Sequence, residues 1–119
     1  MKKIAVLRCL RTSNNCTGSG CLKAFNNKTN AFAKYEDEAI AMTAFLNCSG
    51  CGDVRLPDSE AGMQKKLDRL VTIGVEVVHL SGCTQKKDVQ GVKHECPCVT
   101  KMAEYLTQQG IVVVRGTHH

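Results

Sequence analysis

Apolar residues along this chain occur in short runs that alternate with segments of helical periodicity. The first run, residues 4–7, follows a polar start and predicts a buried strand. Residues 38–46 could form a helix or a strand by length alone; we predict a strand, because a strand, a loop and then a helix fit the alternation along the chain. β-Branched residues predict two more strands, over 75–80 and 111–114.

Three segments between these strands carry helix signals. Residues 21–25 predict a brief helix with Ser19 as a candidate N-cap. A second helix starts after Pro57 and stops at Gly74, and a third has Pro97 in its first turn. The apolar positions recur three and four apart: Met63, Leu67, Leu70 and Val71 in the second helix, and Val99, Met102, Ala103 and Leu106 in the third. Residues 11–20 and 84–95 are predicted as polar loops.

Strands that alternate with helices imply right-handed crossovers and a parallel sheet covered on both faces. We therefore expect an α/β fold with a four-stranded parallel sheet in the order 2-1-3-4, as in flavodoxin-like proteins. The 119 residues, 43% of them hydrophobic, suffice for one modest core, so we expect a single domain over residues 1–119.

Cysteines stand where three of the predicted strands end. Cys9, Cys48 and Cys83 each follow an apolar run. Parallel strands release their loops along one edge of a sheet, so these distant thiols should converge there. His118 follows the last strand and should join them.

Composition directs attention to sulfur. The chain has 8 Cys but only 3 Phe, 2 Tyr and no Trp. The amino terminus is too poorly apolar for a signal peptide, and no run approaches the roughly 18 apolar residues of a membrane span, so we expect a soluble cytoplasmic protein. In a reducing compartment, such cysteine content favours metal binding or redox chemistry over structural disulfides. The net charge of +5 is dispersed, so we expect neither nucleic acid nor a membrane as partner.

The pair Cys48 and Cys51 has the spacing of two metal ligands in a tight turn. Zinc takes four thiolate or imidazole ligands in a tetrahedron and is our first expectation; iron or an iron–sulfur cluster is the alternative, because cysteine thiolates also hold these. The favoured ligands are Cys9, Cys48, Cys51 and Cys83, with His118 as the alternate. A candidate second cluster, as a lid, another metal site or a redox pair, comprises Cys16, Cys21, His94, Cys96 and Cys98.

The rival function is a thiol-dependent oxidoreductase or redox sensor. Cys48 and Cys51 would then cycle between dithiol and disulfide with a redox partner protein. A helix amino terminus favours the thiolate, which supports a reactive sulfur at Cys98, Cys21 or Cys51. His79, inside a strand, is predicted instead to be a hydrogen-bonded core residue. No catalytic residue, reaction or substrate follows from these patterns.

Several segments together make the chain resemble the CGGC domain family, small proteins named for a central Cys-Gly-Gly-Cys. The resemblance covers nearly the whole chain, with Ser49 in place of the first central glycine. It implies metal binding, commonly zinc, without an assigned reaction. The matching segments are residues 4–9, 16–21, 48–51, 79–83, 96–98 and 116–118.

Overall fold

The computed structural model describes residues 1–9, 15–48 and 59–118, and the side chains of all of these except 59–61 and 86. The strands are β1 (Lys2–Cys9), β2 (Ile40–Cys48), β3 (Val77–Leu80), β4 (Gln85–Lys87), β5 (Lys93–Glu95) and β6 (Val112–Arg115). The helices are α1 (Ser19–Asn27), α2 (Ser59–Thr72) and α3 (Pro97–Gln108), with short 3-10 helices at Asn30–Tyr35 and Gly82–Thr84.

Four strands form one parallel sheet in the order β2-β1-β3-β6. This is the predicted order 2-1-3-4, since β4 and β5 form a separate two-stranded sheet. The predicted α/β fold is thus confirmed. The register places Cys9 opposite Cys48 and Leu7 opposite Leu80. All four strands therefore end at one edge of the sheet, with β1 and β3 at its centre.

Helices cover both faces of this sheet, as predicted. Ala5 and Leu7 of β1 pack in a core with the apolar stripes of α2 and α3. Ile4 and Val6, which alternate with them, pack in a second core with α1 and the aromatic residue Phe32. Side chains of successive strand residues point to opposite faces, so each face of the sheet receives every second residue of β1.

The helix boundaries follow the local signals closely. Gly18, at φ 80, precedes α1, so Ser19 is the first helical residue rather than the cap. Gly74, also at φ 80, lies just beyond the end of α2, and Pro97 is the first residue of α3. A glycine after a helix can adopt the left-handed conformation without the steric penalty that a Cβ brings, which explains why α2 ends near Gly74. Among the helices of the described ranges, none is both long and apolar enough to cross a membrane.

The predicted loop over residues 84–95 is wrong. This segment forms an antiparallel hairpin of β4 and β5, in which Gln85 faces Glu95 and Lys87 faces Lys93. The turn is closed by Asp88, whose side chain accepts hydrogen bonds from the backbone N–H groups of Gln90 and Val92. The strands are polar and three residues long, so they lack the apolar alternation by which a strand is recognised in sequence.

Candidate thiol site at the sheet edge

Cys9 and Cys48 end neighbouring strands. They are the last residues of β1 and β2, they face each other in register, and each is only 2% exposed. Cys48 packs in the core that contains α2 and α3. Cys9 lies two residues after Leu7, a member of the same core, so the strand alternation directs both thiols to this face.

Cys83 reaches the same edge by a different route. In the ladder between β1 and β3, Ser81 N–H donates to the Leu7 carbonyl at 3.0 Å, and a longer β3 would next offer the Ser81 carbonyl to Cys9 N–H. The chain turns instead, and the Ser81 carbonyl accepts from the N–H and hydroxyl of Thr84. Cys9 N–H then donates to Cys83 Sγ at 3.3 Å, so the sulfur replaces the missing carbonyl.

Three of the predicted ligands, Cys9, Cys48 and Cys83, therefore lie at the same edge of the sheet. Cys51, the second member of the Cys-x-x-Cys pair, lies outside the described residues. Within residues 1–9, 15–48 and 59–118, no three His, Cys, Asp or Glu side chains are already grouped as a metal site.

His118 contacts Cys21, on the α1 side. Cys21 is buried, with 1% of its surface exposed. Its Sγ lies 3.5 Å from His118 Nδ1, 3.3 Å from Thr117 Oγ1 and 3.5 Å from Ser81 Oγ. The imidazole lies against the first turn of α1, where a Cβ on Gly20 would stand 3.0 Å from His118 Nε2. His118, predicted with the metal thiols, thus contacts a cysteine predicted for the second cluster.

Cys16 lies just before α1. Its side chain is exposed, and its sulfur accepts the Gly18 N–H at 3.3 Å. Its carbonyl accepts a hydrogen bond from Arg8, whose guanidinium also lies over the ring of Phe45 at 5.0 Å. Arg8 precedes Cys9 in β1 and so belongs to the opposite face of the sheet.

The rest of the predicted second cluster lies around α3 and the hairpin. Cys96 is the N-cap residue of α3 and packs in the same core as Cys48, and Cys98 is partly buried against that core. His94 is exposed on β5, with its Nε2 2.8 Å from Asp88 Oδ2. The hydrogen bond from His94 is the main cause that lowers the pKa of Asp88. The structure thus divides the five residues between the two faces of the sheet and the hairpin.

His79 is a core residue with both ring nitrogens bonded, as predicted. Its Nδ1–H donates to the Gly116 carbonyl at 2.9 Å, and its Nε2 accepts the Tyr35 hydroxyl at 2.8 Å. A carbonyl only accepts, which assigns the proton to Nδ1. The ring stacks on Phe32 at 4.3 Å. Burial lowers the pKa of His79 and raises that of Tyr35 to about 12, so both groups are neutral at pH 7.

Sequence reasoning missed two polar residues of the edge. Ser81 and Thr117 are buried, and both hydroxyls contact the sulfur of Cys21. Ser81 directly follows the central strand β3, and Thr117 lies two residues after the outermost strand β6. That position was the available signal, because side chains after such strands point into the crevice at the sheet edge.

Comparison with known proteins places the chain in a family. A family model for the CGGC domain matches residues 3–118. The chain belongs to the CGGC domain family. An uncharacterized protein of Methanocaldococcus jannaschii is 32% identical to this CGGC domain, over 98% of the chain and 86% of the relative's own length. Comparison with solved structures gave no match.

Proposed function

We propose that this CGGC domain protein binds a thiophilic metal ion through Cys9, Cys48, Cys51 and Cys83. Zinc is the first candidate, and iron is the alternative. The observation that supports this most is the arrival of β1, β2 and β3 at one edge with a cysteine at or just after each strand end. Membership in the CGGC family favours metal binding and leaves the metal open.

The donor chemistry at the edge fits such a metal. Thiolates are the ligands of structural zinc and of iron–sulfur clusters. The hydrogen bond from Cys9 N–H to Cys83 Sγ suits a metal-bound thiolate, because an N–H group directed at sulfur offsets part of its negative charge and orients it. Cys51, three residues after Cys48 in the chain, would supply the fourth sulfur.

His118 is not needed as a ligand in this proposal. Its ring is engaged with Cys21 and the first turn of α1, whereas the strand alternation directs Cys9 and Cys48 to the α2 and α3 side. Four cysteines already satisfy the tetrahedral coordination of zinc. A closed site of this kind is structural: when bound, the metal would tie the exits of three strands together.

Metal analysis of anaerobically purified protein tests the proposal, with elemental analysis, a sulfide assay and a visible spectrum on one sample. We expect about one zinc per chain in a colourless protein. Cys48→Ser and Cys83→Ser should lose the metal. Cys16→Ser is the matched control, because this exposed thiol precedes α1 on the other side of the sheet, and it should keep the metal.

Three results would contradict this assignment. A brown protein with iron and sulfide would replace zinc by an iron–sulfur cluster on the same thiols. A metal-free protein whose Cys48→Ser and Cys83→Ser variants are as stable as the wild type would remove the metal site altogether. Thiol–disulfide activity that persists after complete metal removal would support the oxidoreductase instead.

A further inference from the structure

The register between β1 and β2 defines a candidate disulfide. We infer that Cys9 and Cys48 are joined reversibly by an S–S bond when the metal-free protein is oxidised, and that this bond controls metal binding at the sheet edge. The control of metal binding rests on the proposed function, whereas formation of the bond does not.

Three features of the edge support this pairing. Cys9 and Cys48 are directly opposed in the β1–β2 ladder. Neighbouring strands are about 4.8 Å apart, which lies within the range of about 4.4–6.8 Å between the Cα atoms of disulfide-bonded cysteines. Both thiols lie toward the same face of the sheet, because residues paired in register on neighbouring strands point to the same side.

The third thiol of the edge is placed differently. Cys83 Sγ lies at the backbone N–H of Cys9, on the side where β1 pairs with β3. Cys48 lies on the opposite side of β1, in β2. The Cys83 sulfur is therefore held by the backbone of Cys9, while the side chain of Cys9 has the side chain of Cys48 as its in-register neighbour.

Hydrogen peroxide is a suitable oxidant, because both cysteines are 2% exposed and only a small molecule reaches them readily. One thiolate attacks the peroxide, the O–O bond breaks, and the sulfur becomes a sulfenic acid while the departing oxygen leaves as water. The second thiol attacks this sulfur, the S–S bond forms, and a second water leaves. Two thiols thus lose two electrons to one peroxide.

The bond would remove two of the four proposed metal ligands at once. A sulfur in a disulfide is not a thiolate and so does not ligate zinc as one. Conversely, bound metal would protect both sulfurs from the oxidant. The affinity of the edge for zinc would then follow the redox state of the protein, and a thiol reductant would restore it.

Peptide mapping of chelator-treated, peroxide-oxidised protein tests the pairing. After alkylation of the remaining thiols, trypsin yields Cys9 in residues 9–11, Cys48 with Cys51 in residues 35–55, and Cys83 in residues 70–86. We expect residues 9–11 linked to residues 35–55. Cys51→Ser, which leaves Cys48 as the only cysteine of its peptide, should keep this link, and Cys48→Ser should lose it.

Several outcomes would overturn the pairing: an internal bond within residues 35–55, a link from residues 9–11 to residues 70–86, or no link at all. Because Cys51→Ser is expected to retain the bond, a folding defect of Cys48→Ser does not decide the result. Cys16→Ser is the control for nonspecific oxidation and should give the wild-type map.

Zinc titration of the same samples tests the control of metal binding. Oxidised protein should bind zinc more than about 100-fold more weakly than reduced protein. This loss of affinity should exceed the one caused by removing a group that only hydrogen-bonds to a metal ligand. Equal affinity of both forms would contradict redox control. If the Cys9–Cys48 disulfide forms but reduced protein binds no zinc, the proposed function fails and the disulfide pairing stands. If reduced protein binds zinc but the disulfide does not form, only the present inference fails.

Discussion

The sulfur of Cys83 accepts the backbone N–H of Cys9 at 3.3 Å, at the position in the ladder where β3 has already turned away. A cysteine side chain thereby extends the pairing of the two central strands by one hydrogen bond. The same contact places a thiol at the centre of the sheet edge, between the exits of β1 and β3. The Cys83 side chain thus both supports the strand pairing and is a proposed metal ligand.

Replacement of Cys83 by alanine should destabilise the metal-free protein by about 0.5–1.5 kcal/mol, because the variant loses the hydrogen bond to Cys9 N–H. Urea unfolding with a reductant and a chelator present measures the free energy of unfolding. Cys16→Ala removes the same type of contact, to Gly18 N–H, from an exposed sulfur and should cost less. Equal costs at the two positions would contradict a special role of the Cys83 contact.

The Tyr35 hydroxyl and His79 form a buried pair that Tyr35→Phe tests. The variant leaves Nε2 of a fully buried imidazole without the donor it has at 2.8 Å, and should lose about 1–3 kcal/mol of stability. Tyr105→Phe is the matched control: its hydroxyl donates to Asp68 at the surface, so water can replace it and the loss should stay below about 0.5 kcal/mol. Similar losses in both variants would argue against the buried pair.

Protonation of His79 should couple stability to mild acid. Burial is the main cause that lowers its pKa in the folded protein, so the unfolded chain takes up a proton first as the pH falls. The contribution of the neutral ring is complete above the unfolded pKa of about 6.5 and declines below it, by at most about 1.4 kcal/mol per pH unit.

Urea unfolding of metal-free protein between pH 7.5 and pH 5 measures this effect. His79→Gln removes the titrating ring, so its free energy of unfolding should change less with pH than that of the wild type. A wild-type slope that survives in His79→Gln would assign the pH dependence to other groups.

The two central strands of the main sheet, β1 and β3, were predictable because each buries an apolar run. β1 has four consecutive residues with no exposed surface, Ile4 to Leu7, and β3 is buried along its whole length. A strand covered on both faces needs apolar residues at every position, which produces a continuous hydrophobic run in the sequence. The hairpin of β4 and β5 was not predictable, because its pairing depends on backbone hydrogen bonds and a turn at Asp88 rather than on buried side chains.

The sequence by itself determined that strands would alternate with helices, and hence that Cys9, Cys48 and Cys83 would leave the sheet at one edge, since parallel strands must all end on the same side. Only the tertiary structure decided which thiols share a face. That choice depends on which face the last residue of each strand points to and on the turn that follows the strand. Cys9 and Cys48 are paired in register on adjacent strands and so point to the same face. After β6, in contrast, the chain turns at Gly116, with φ 142, and His118 contacts Cys21. A shift of one residue in either strand would move its thiol to the opposite face.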